Sequence, residues 1–252
     1  MYSLSDRERK LLIALRQKKR RDEYRLFVAE GEKVIGQMLP FFRLRYMITT
    51  EERFPDTWMT MERNLCRRVD VTMMRKLSLL ESPTPYIAIF EKPDPSPIAT
   101  TSSLSIALER IQDPGNLGTI IRLADWMGVQ QLLLSHASAD PYAPKVVQAT
   151  AGALGNVAIH TDLNLRELLP EHYQHIIGTT LNGETIDRVI LPDGAAPRDI
   201  VLLFGNEGQG LSEELLSICH HRVTIPPAST TISESLNIAI SVTILLTHFS
   251  NL

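Results

Sequence analysis

The stretch that decides the fold is Leu104–Ser135, LSIALERIQDPGNLGTIIRLADWMGVQQLLLS. It begins and ends with short apolar runs that are typical of buried strands, and the apolar residues between them repeat at helical spacing. A strand, a helix and a second strand in this order form a βαβ unit whose strands are parallel. Because ligands bind outside the carboxyl ends of such strands, the turn at residues 113–115 is a candidate site.

The alternation of strands and helices continues from this stretch to the end of the chain. Apolar strands are predicted in VAIH, YQHIIGTTL, DIVLLFG and RVTIP, and helices in PKVVQATAGAL and SESLNIAISVTILLTHF. Apolar strands separated by helices indicate a mostly parallel sheet that is covered on both faces. We therefore predict an α/β domain over residues 98–252.

Residues 1–97 have a smaller α/β pattern of their own. Ser5 and Glu8 have the spacing of a capping box and open a basic amphipathic helix. A short strand, a turn at Gly31, a helix and another strand follow. The segment PYIAIFEKPDPSPIATTSS, with four prolines and a polar tail, has the composition of an interdomain linker, and we place the boundary near Pro97.

The composition is that of a soluble, cytoplasmic protein. Of the 252 residues, 44% are hydrophobic and 22% are charged, and no apolar run is long enough to cross a membrane. The N-terminal MYSLSDRERK lacks the basic and then apolar order of a signal peptide. The two cysteines lie far apart, which predicts free thiols in a reducing compartment, and neither they nor the histidines have metal-ligand spacing.

Positive charge is concentrated near the N-terminus. The first 25 residues contain nine Lys or Arg against four Asp or Glu, although the whole chain has a net charge of -3. The basic segment RQKKRRDEYR is either a solvated helix face or a contact with nucleic acid. For the second interpretation, the candidate RNA-binding residues are Lys18, Lys19, Arg20 and Arg21.

The loop after the first strand of the C-terminal domain leads to Asn116 and Arg122. Asn116 has the position of a helix N-cap, and Arg122 falls about two turns into the helix. Both side chains can therefore serve one site at the strand end. The alternative is structural: Asn116 caps the helix, and Arg122 reaches a carboxylate on the surface.

A second loop, LLFGNEGQGLSEE at 202–214, has the glycine content of a phosphate-binding loop. Its glycines have the order G-x-x-G-x-G, which is not the dinucleotide order, and the Lys-Ser or Lys-Thr of a Walker motif is missing. Glu207 would repel a phosphate. A Rossmann oxidoreductase is therefore disfavoured, and Ser212 is predicted to cap a helix that begins with two glutamates.

The third loop, IPPASTTISESLNIAI, begins where Pro226 and Pro227 stop a strand. Ser235 and Asn237 are predicted in the first turn of the last helix. Ser235 has no G-x-S-x-G around it, and no histidine is placed by the sequence to activate it. We therefore expect Ser235 to cap the helix or to contact a ligand, and not to act as a nucleophile.

In this order, the three loops resemble the motifs of the SpoU (TrmH-like) family of S-adenosylmethionine-dependent RNA 2'-O-ribose methyltransferases, in the SPOUT superfamily. The matching residues are Asn116, Gly118 and Arg122 in the first motif, Gly205, Glu207, Gly208 and Gly210 in the second, and Ile225, Pro226, Ser235, Leu236 and Asn237 in the third. The N-terminal RLFVAEGEKVI is similar to the ribosomal-protein-like α/β substrate-binding domain of many members. The stretch after Ile225 is longer than is usual in the family and lacks the usual glycine, which affects the expected cofactor contacts of that loop.

The resemblance implies a C-terminal domain with a deep trefoil knot, an exception to the rule that chains are not threaded. It implies S-adenosyl-L-methionine as the cofactor, with glycines that allow its close approach and with binding residues Thr180, Leu181, Gly205, Ile225 and Leu236. The implied catalytic residues are Arg122, Asn116, Glu207, Ser235 and Asn237. Members of the family act as homodimers through the first-motif helix and the last helix.

The implied reaction is methylation of a ribose hydroxyl, with ribosomal RNA favoured over transfer RNA. This hydroxyl is a weak acid, so the transfer needs alignment and help as the proton leaves. Arginine seldom gives up a proton, so we expect Arg122 to orient the hydroxyl and a phosphate and to stabilise the developing oxyanion. The alternative is a non-catalytic RNA-binding protein on the same scaffold.

Overall fold

In the computed structural model of the protein, structure is described for residues 2–58, 62–98, 103–189 and 196–249. The chain forms two compact units: unit 1 contains Met1–Asp94 and Asp140–Asn156, and unit 2 contains Pro95–Ala139 and Val157–Leu252. The first break lies in the proline-rich linker. The segment Asp140–Asn156 packs with unit 1, whereas the predicted domain ranges place it in the C-terminal domain.

Helices and strands are numbered in chain order. In unit 1 the strands are β1 (Tyr2–Ser3), β2 (Leu26–Glu30), β3 (Leu44–Thr49), β4 (Cys66–Arg68) and β5 (Tyr86–Glu91), and the helices are α1 (Asp6–Ala14), α2 (Lys18–Tyr24), α3 (Glu32–Met38), α4 (Val71–Leu77) and α6 (Pro144–Ala149). In unit 2 the strands are β6 (Ser105–Leu108), β7 (Gln131–Ser135), β8 (Ala158–Leu163), β9 (His175–Thr185), β10 (Ile200–Phe204) and β11 (His221–Thr224), and the helices are α5 (Pro114–Trp126), α7 (Leu165–His172), α8 (Glu213–Leu216) and α9 (Ile238–Phe249). Short 3-10 helices lie at Asp56–Trp58, Arg63–Leu65, Ala153–Gly155, Ile186–Arg188 and Pro197–Asp199.

Unit 1 is built on a five-stranded sheet in the order β1-β4-β3-β5-β2. Strands β1, β4 and β3 are parallel, and β5 runs antiparallel to both β3 and β2. Its hydrophobic core joins the sheet to α1 and α4, which contribute Leu12, Met74 and Leu77. The capping box predicted at Ser5 and Glu8 is present at the start of α1.

Strand β2 lies at the edge of this sheet, but all five of its residues are buried. The segment Asp140–Asn156 covers it: α6 packs against β2, and the ring of Tyr142 lies 5.1 Å from that of Phe27. A β-carbon on Gly152 would lie 2.5 Å from the β-carbon of Gln37, so only glycine permits this approach. The segment is therefore part of the packing of unit 1.

The predicted N-terminal helix is broken between α1 and α2, and the side chain of Arg21 stabilises the break. Its Nη1 donates to the carbonyls of Leu15 and Arg16 at 2.8 and 2.9 Å. Its Nε and Nη2 donate to Asp140 Oδ2 at 2.9 and 2.6 Å. Arg21 is only 3% exposed. The predicted RNA contact of Arg21 is therefore wrong, because a buried guanidinium that is already hydrogen-bonded does not reach a phosphate.

Unit 2 is built on a six-stranded sheet in the order β11-β9-β10-β6-β7-β8. All of its strand pairs are parallel, which confirms the predicted α/β fold with a mostly parallel sheet. The inner strands β6 and β10 are fully buried, as expected where helices cover both faces. Helix α5 packs against α9.

The strand pairing brings the motif loops to one edge of the sheet. Phe204 at the end of β10 pairs with Leu108 at the end of β6, so the loops that follow these strands begin side by side. This edge is where parallel sheets bind ligands. Among the described residues, no helix has the length and apolar character needed to span a membrane.

Candidate active site

The turn after β6 is capped by Asp113, and not by Asn116 as predicted. Asp113 Oδ1 accepts a hydrogen bond from the backbone N–H of Asn116 at 2.7 Å, and Pro114 occupies the first helical position. Aspartate followed by proline is a favoured helix start. The correction matters for function, because the side chain of Asn116 is then available to other loops.

The glycine-rich loop after β10 closes on itself. The backbones of Asn206 and Gly210 exchange hydrogen bonds of 3.0 and 2.9 Å. A β-carbon on Gly205 would lie 2.0 Å from the carbonyl carbon of Gly210, and Gly210 itself has a φ of +69°. Both glycines are thus required by the loop's own backbone, and a cofactor contact at Gly205 stays a prediction. Ser212 caps α8 as predicted, since its Oγ accepts the N–H of Leu215 at 3.4 Å.

Three side chains join the motif loops in one hydrogen-bond network. Asn237 Nδ2 donates to Asn116 Oδ1 at 2.9 Å, and Asn116 Nδ2 donates to Glu207 Oε1 at 3.3 Å. The Glu207 carboxylate also accepts the backbone N–H groups of Gln112 and Asp113, each at 3.4 Å. Each of the three motifs therefore contributes one polar side chain to the network. The catalytic roles of these three side chains stay predictions.

The third loop differs from the prediction at its end. Helix α9 begins at Ile238, so neither Ser235 nor Asn237 lies in its first turn. Asn237 takes the position of the N-cap, because its carbonyl accepts the N–H of Ser241 at 3.0 Å, and the helix therefore starts one residue later. Asn237 Oδ1 accepts the N–H of Ala239 at 2.9 Å, so this side chain ties the start of α9 to Asn116. Ser235 is exposed and makes no side-chain hydrogen bond with any described residue.

Arg122 lies on α5 with its side chain exposed. It makes no hydrogen bond and no ion pair within the described part of the chain, so the alternative of a surface carboxylate partner is not observed. All five N–H donors of the guanidinium are open to a ligand. This is the opposite of the situation at Arg21.

The predicted cofactor residues of β9 lie where its pairing with β11 is irregular. The register shift leaves residues 179–183 of β9 without partners in β11. Thr180 and Leu181 belong to this stretch, and Leu181 is 70% exposed. Thr224 Oγ1 donates to the carbonyl of Leu181 at 3.2 Å, which connects the stretch to the end of β11. Two further predicted cofactor residues belong to the third loop. Ile225 is half-buried, and Leu236 is 48% exposed.

Sequence analysis missed a charged pair that directly follows β6, Glu109 and Arg110. Glu109 is 7% exposed, and its Oε2 accepts the backbone N–H of Ser212 at 2.8 Å. Arg110 Nη2 lies 3.3 Å from Glu109 Oε1. The signal that would have identified them is a carboxylate and a cation directly after an apolar strand, at the edge where parallel sheets bind ligands.

Thiol and metal chemistry have no support in the described residues. No three of their His, Cys, Asp and Glu side chains are arranged to hold a metal ion, and the expected lack of a metal stays a prediction. Neither Cys66 nor Cys219 forms a disulfide within the described residues. Burial raises the pKa of the Cys219 thiol to about 11, so this thiol stays protonated at neutral pH.

Two family models match the chain. Residues 103–247 match the SpoU rRNA Methylase family, and residues 8–88 match an MRM3-like substrate binding domain. The first range contains all three motif loops. The second contains strands β2, β3 and β4 of unit 1.

Individual relatives resemble the chain over most of its length or over about half of it. The 23S rRNA (guanosine(2553)-2'-O)-methyltransferase RlmP of Bacillus subtilis is 26% identical over 93% of this chain and 92% of its own. An uncharacterized tRNA/rRNA methyltransferase of Synechocystis is 37% identical over 57% of this chain, and the match spans 51% of that relative. The crystal structure of an AdoMet-bound rRNA methyltransferase from Sinorhizobium meliloti is 30% identical and has a TM-score of 0.85, with 98% of this chain and 95% of that chain covered.

Proposed function

Since the chain belongs to the SpoU rRNA methylase family, we propose that it transfers a methyl group from S-adenosylmethionine to a ribose 2'-hydroxyl of RNA. The observation that carries the proposal is the network of Asn116, Glu207 and Asn237, which holds the three motif loops together. The helix that begins at this network also carries the unpaired Arg122. A protein that only binds RNA needs none of these contacts. The similarity to RlmP supports ribosomal RNA over transfer RNA.

The residues at these loops fit S-adenosylmethionine. Leu181 and Leu236 expose apolar surface, which suits the faces of an adenine ring, and the backbone at the register shift in β9, where Thr180 lies, suits its polar edge. Unit 2 contains 6 Lys or Arg against 14 Asp or Glu, and this negative balance suits a cationic sulfonium. We propose that Thr180, Leu181, Gly205, Ile225 and Leu236 hold the cofactor.

Arg122 has the central role in the proposed mechanism. When bound, the cofactor supplies a methyl group on a positively charged sulfur. Arg122 donates to the ribose hydroxyl oxygen and to a neighbouring phosphate, which aligns the hydroxyl and stabilises the negative charge that develops as its proton leaves for solvent. Asn116, Glu207 and Asn237 fix the loops around it, and the exposed Ser235 is left to contact the ribose.

We propose that unit 1 binds the RNA away from the target nucleotide. Three of its cations, Lys19, Arg75 and Lys76, are exposed and have no ion-pair partner among the described residues. Lys18 and Arg20 form ion pairs on α2 with acidic residues of the same helix, so they contribute less to RNA binding. Contacts between such cations and phosphates supply affinity without sequence specificity.

The exposed apolar residues of unit 2 support a homodimer. Trp126 at the end of α5 is 86% exposed, and Ile240 on α9 is 51% exposed, on two helices that pack together. We propose that a second copy of the chain covers these helices. We also propose the family's trefoil knot around α9, and the cytoplasm as the location, which the lack of a disulfide among the described residues supports.

Titration calorimetry and methylation mapping test the proposal together. The protein should bind S-adenosylmethionine and its demethylated product, and it should transfer a labelled methyl group to rRNA from cells that lack the gene. Mapping of 2'-O-methyl riboses in RNA from cells with and without the gene should then show one or more sites that depend on it. Failure to bind either form of the cofactor would support the non-catalytic alternative.

A further inference from the structure

The left-handed residue that follows β6, Arg110, has the features of a substrate-binding arginine. We propose that its guanidinium binds an RNA phosphate next to the target ribose. This inference rests on the proposed function and adds a residue that belongs to none of the three motifs.

The backbone of Arg110 is held in an unfavourable conformation. Its φ is +49°, a region that glycine and asparagine adopt more easily than a long side chain does. Two side chains hold it there: its N–H donates to Ser135 Oγ at 2.8 Å, and its carbonyl accepts from Asn206 Nδ2 at 2.9 Å. Such conformations are enriched at functional sites, which makes Arg110 a candidate for a functional residue.

The side chain of Arg110 keeps donors available for a ligand. It is 38% exposed, and Nη2 lies 3.3 Å from the buried Glu109 carboxylate. Its Nε is buried and has no hydrogen-bond partner among the described residues, so the donors that a ligand can reach are those of the Nη groups. The other Glu109 oxygen accepts the N–H of Ser212, so only one carboxylate oxygen faces Arg110. The carboxylate therefore holds the guanidinium without occupying all of the guanidinium's donors. A planar guanidinium with open donors matches the oxygens of a phosphate.

The position of Arg110 links it to the motif network. Asn206, which binds the Arg110 carbonyl, directly precedes Glu207, and Glu207 binds Asn116. A ribose within RNA lies between two phosphates. In the proposed mechanism Arg122 orients the hydroxyl and one phosphate, and Arg110, at the same sheet edge, binds the other phosphate.

Substitution of Arg110 by glycine tests the proposal, since glycine relieves the left-handed backbone and so offsets part of the cost of leaving the buried Glu109 carboxylate without its cation. Binding of 23S rRNA transcribed in vitro is measured at several salt concentrations, and S-adenosylmethionine binding is measured by calorimetry. For Arg110→Gly we expect the Kd and KM for RNA to rise at least about tenfold. We expect the slope of log K against log salt to shrink by about 0.7 to 0.9, with the cofactor Kd near the wild-type value.

Two further variants complete the test. Arg110→Lys keeps the charge and should restore most of the affinity, whereas Arg166→Gln, a loss of charge on the exposed face of α7, should leave both RNA affinity and salt slope unchanged. The proposal is overturned if Arg110→Gly binds RNA like the wild type, if Arg166→Gln is equally impaired, or if only the cofactor Kd rises. The last result would assign the guanidinium to the cofactor carboxylate. A wild-type protein that binds RNA but methylates none would refute the proposed function, and the binding comparison at Arg110 would still be decisive.

Discussion

The two units of the protein carry opposite charges and use their arginines differently. Unit 1 contains 20 Lys or Arg and 15 Asp or Glu, a net charge of +5, whereas unit 2 contains 6 and 14, a net charge of -8. Most arginines of unit 1 form ion pairs within the unit. In the acidic unit, Arg122 has no such partner among the described residues. The density of positive charge in a sequence therefore says little about which cations are available to a ligand.

Arg21 and Arg122 show the difference most clearly. The resemblance and the charge pattern mark both for RNA, but Arg21 is 3% exposed and hydrogen-bonded to a carboxylate and two carbonyls. Arg122 is exposed and unpaired within the described residues. The first arginine should therefore matter for stability and not for chemistry, and the second for chemistry and not for stability.

Arg21→Ala is expected to have the largest effect, a loss of about 3–5 kcal/mol in the free energy of unfolding of unit 1. It leaves the Asp140 carboxylate buried without its cation and two backbone carbonyls without a donor. Denaturant unfolding can be followed by the fluorescence of Trp58, which is 4% exposed in unit 1, after the exposed Trp126 has been replaced by Phe.

Arg20→Ala is the control for this prediction. Arg20 lies next to Arg21, but its ion pair with Glu23 is on the surface, with side chains 43% and 46% exposed. Its removal should leave the free energy of unfolding close to the wild-type value, because an exposed ion pair is screened by solvent. Equal losses in the two variants would contradict a structural role specific to Arg21.

Arg122→Ala is expected to lower kcat by a factor of about 10² to 10³, because the oxyanion loses its donor. The Kd for S-adenosylmethionine and the thermal midpoint should not change, since the exposed side chain makes no hydrogen bond or ion pair with any described residue. Arg166→Ala, which removes an exposed helical arginine from the same unit, should keep wild-type kcat. Full turnover by Arg122→Ala would refute the assigned role.

Asn116→Ala is expected to reduce kcat about tenfold to a hundredfold, because it removes the central link between Glu207 and Asn237. A double-mutant cycle measures the link: once Asn116 is alanine, Asn237→Ala should have little further effect on kcat. Gln209→Ala changes an exposed side chain in the glycine-rich loop that also carries Glu207. Because Gln209 binds Asn206 through its backbone N–H, this substitution should leave kcat unchanged. Additive losses at Asn116 and Asn237 would mean that the two side chains act separately.

Local patterns were sufficient to predict the sheet and the edge where the motif loops meet. Apolar strands and helical spacing depend on neighbouring residues, and so do the capping box at Ser5 and the cap at Ser212. The errors involve partners that are distant in sequence. Arg21 was misassigned because its carboxylate partner, Asp140, lies 119 residues away. Asn116 was offered both as a site residue and as a helix cap, and the partners that its side chain binds, Glu207 and Asn237, are equally invisible to local patterns.

The prediction with the smallest expected effect compares the RNA affinity of two variants of unit 1, one that loses cations in ion pairs and one that loses cations without an ion-pair partner among the described residues. Arg75→Gln/Lys76→Gln removes two cations that have no ion-pair partner among the described residues, and we expect the Kd for 23S rRNA to rise about fivefold to tenfold. Lys18→Gln/Arg20→Gln removes the same charge from two ion pairs on α2, and it should raise the Kd less. RNA binding by anisotropy at two salt concentrations measures both variants, because each lost phosphate contact also flattens the salt dependence. If the α2 variant is the weaker binder, the RNA lies along α2, and RNA contact has replaced the ion pairs seen in the free protein.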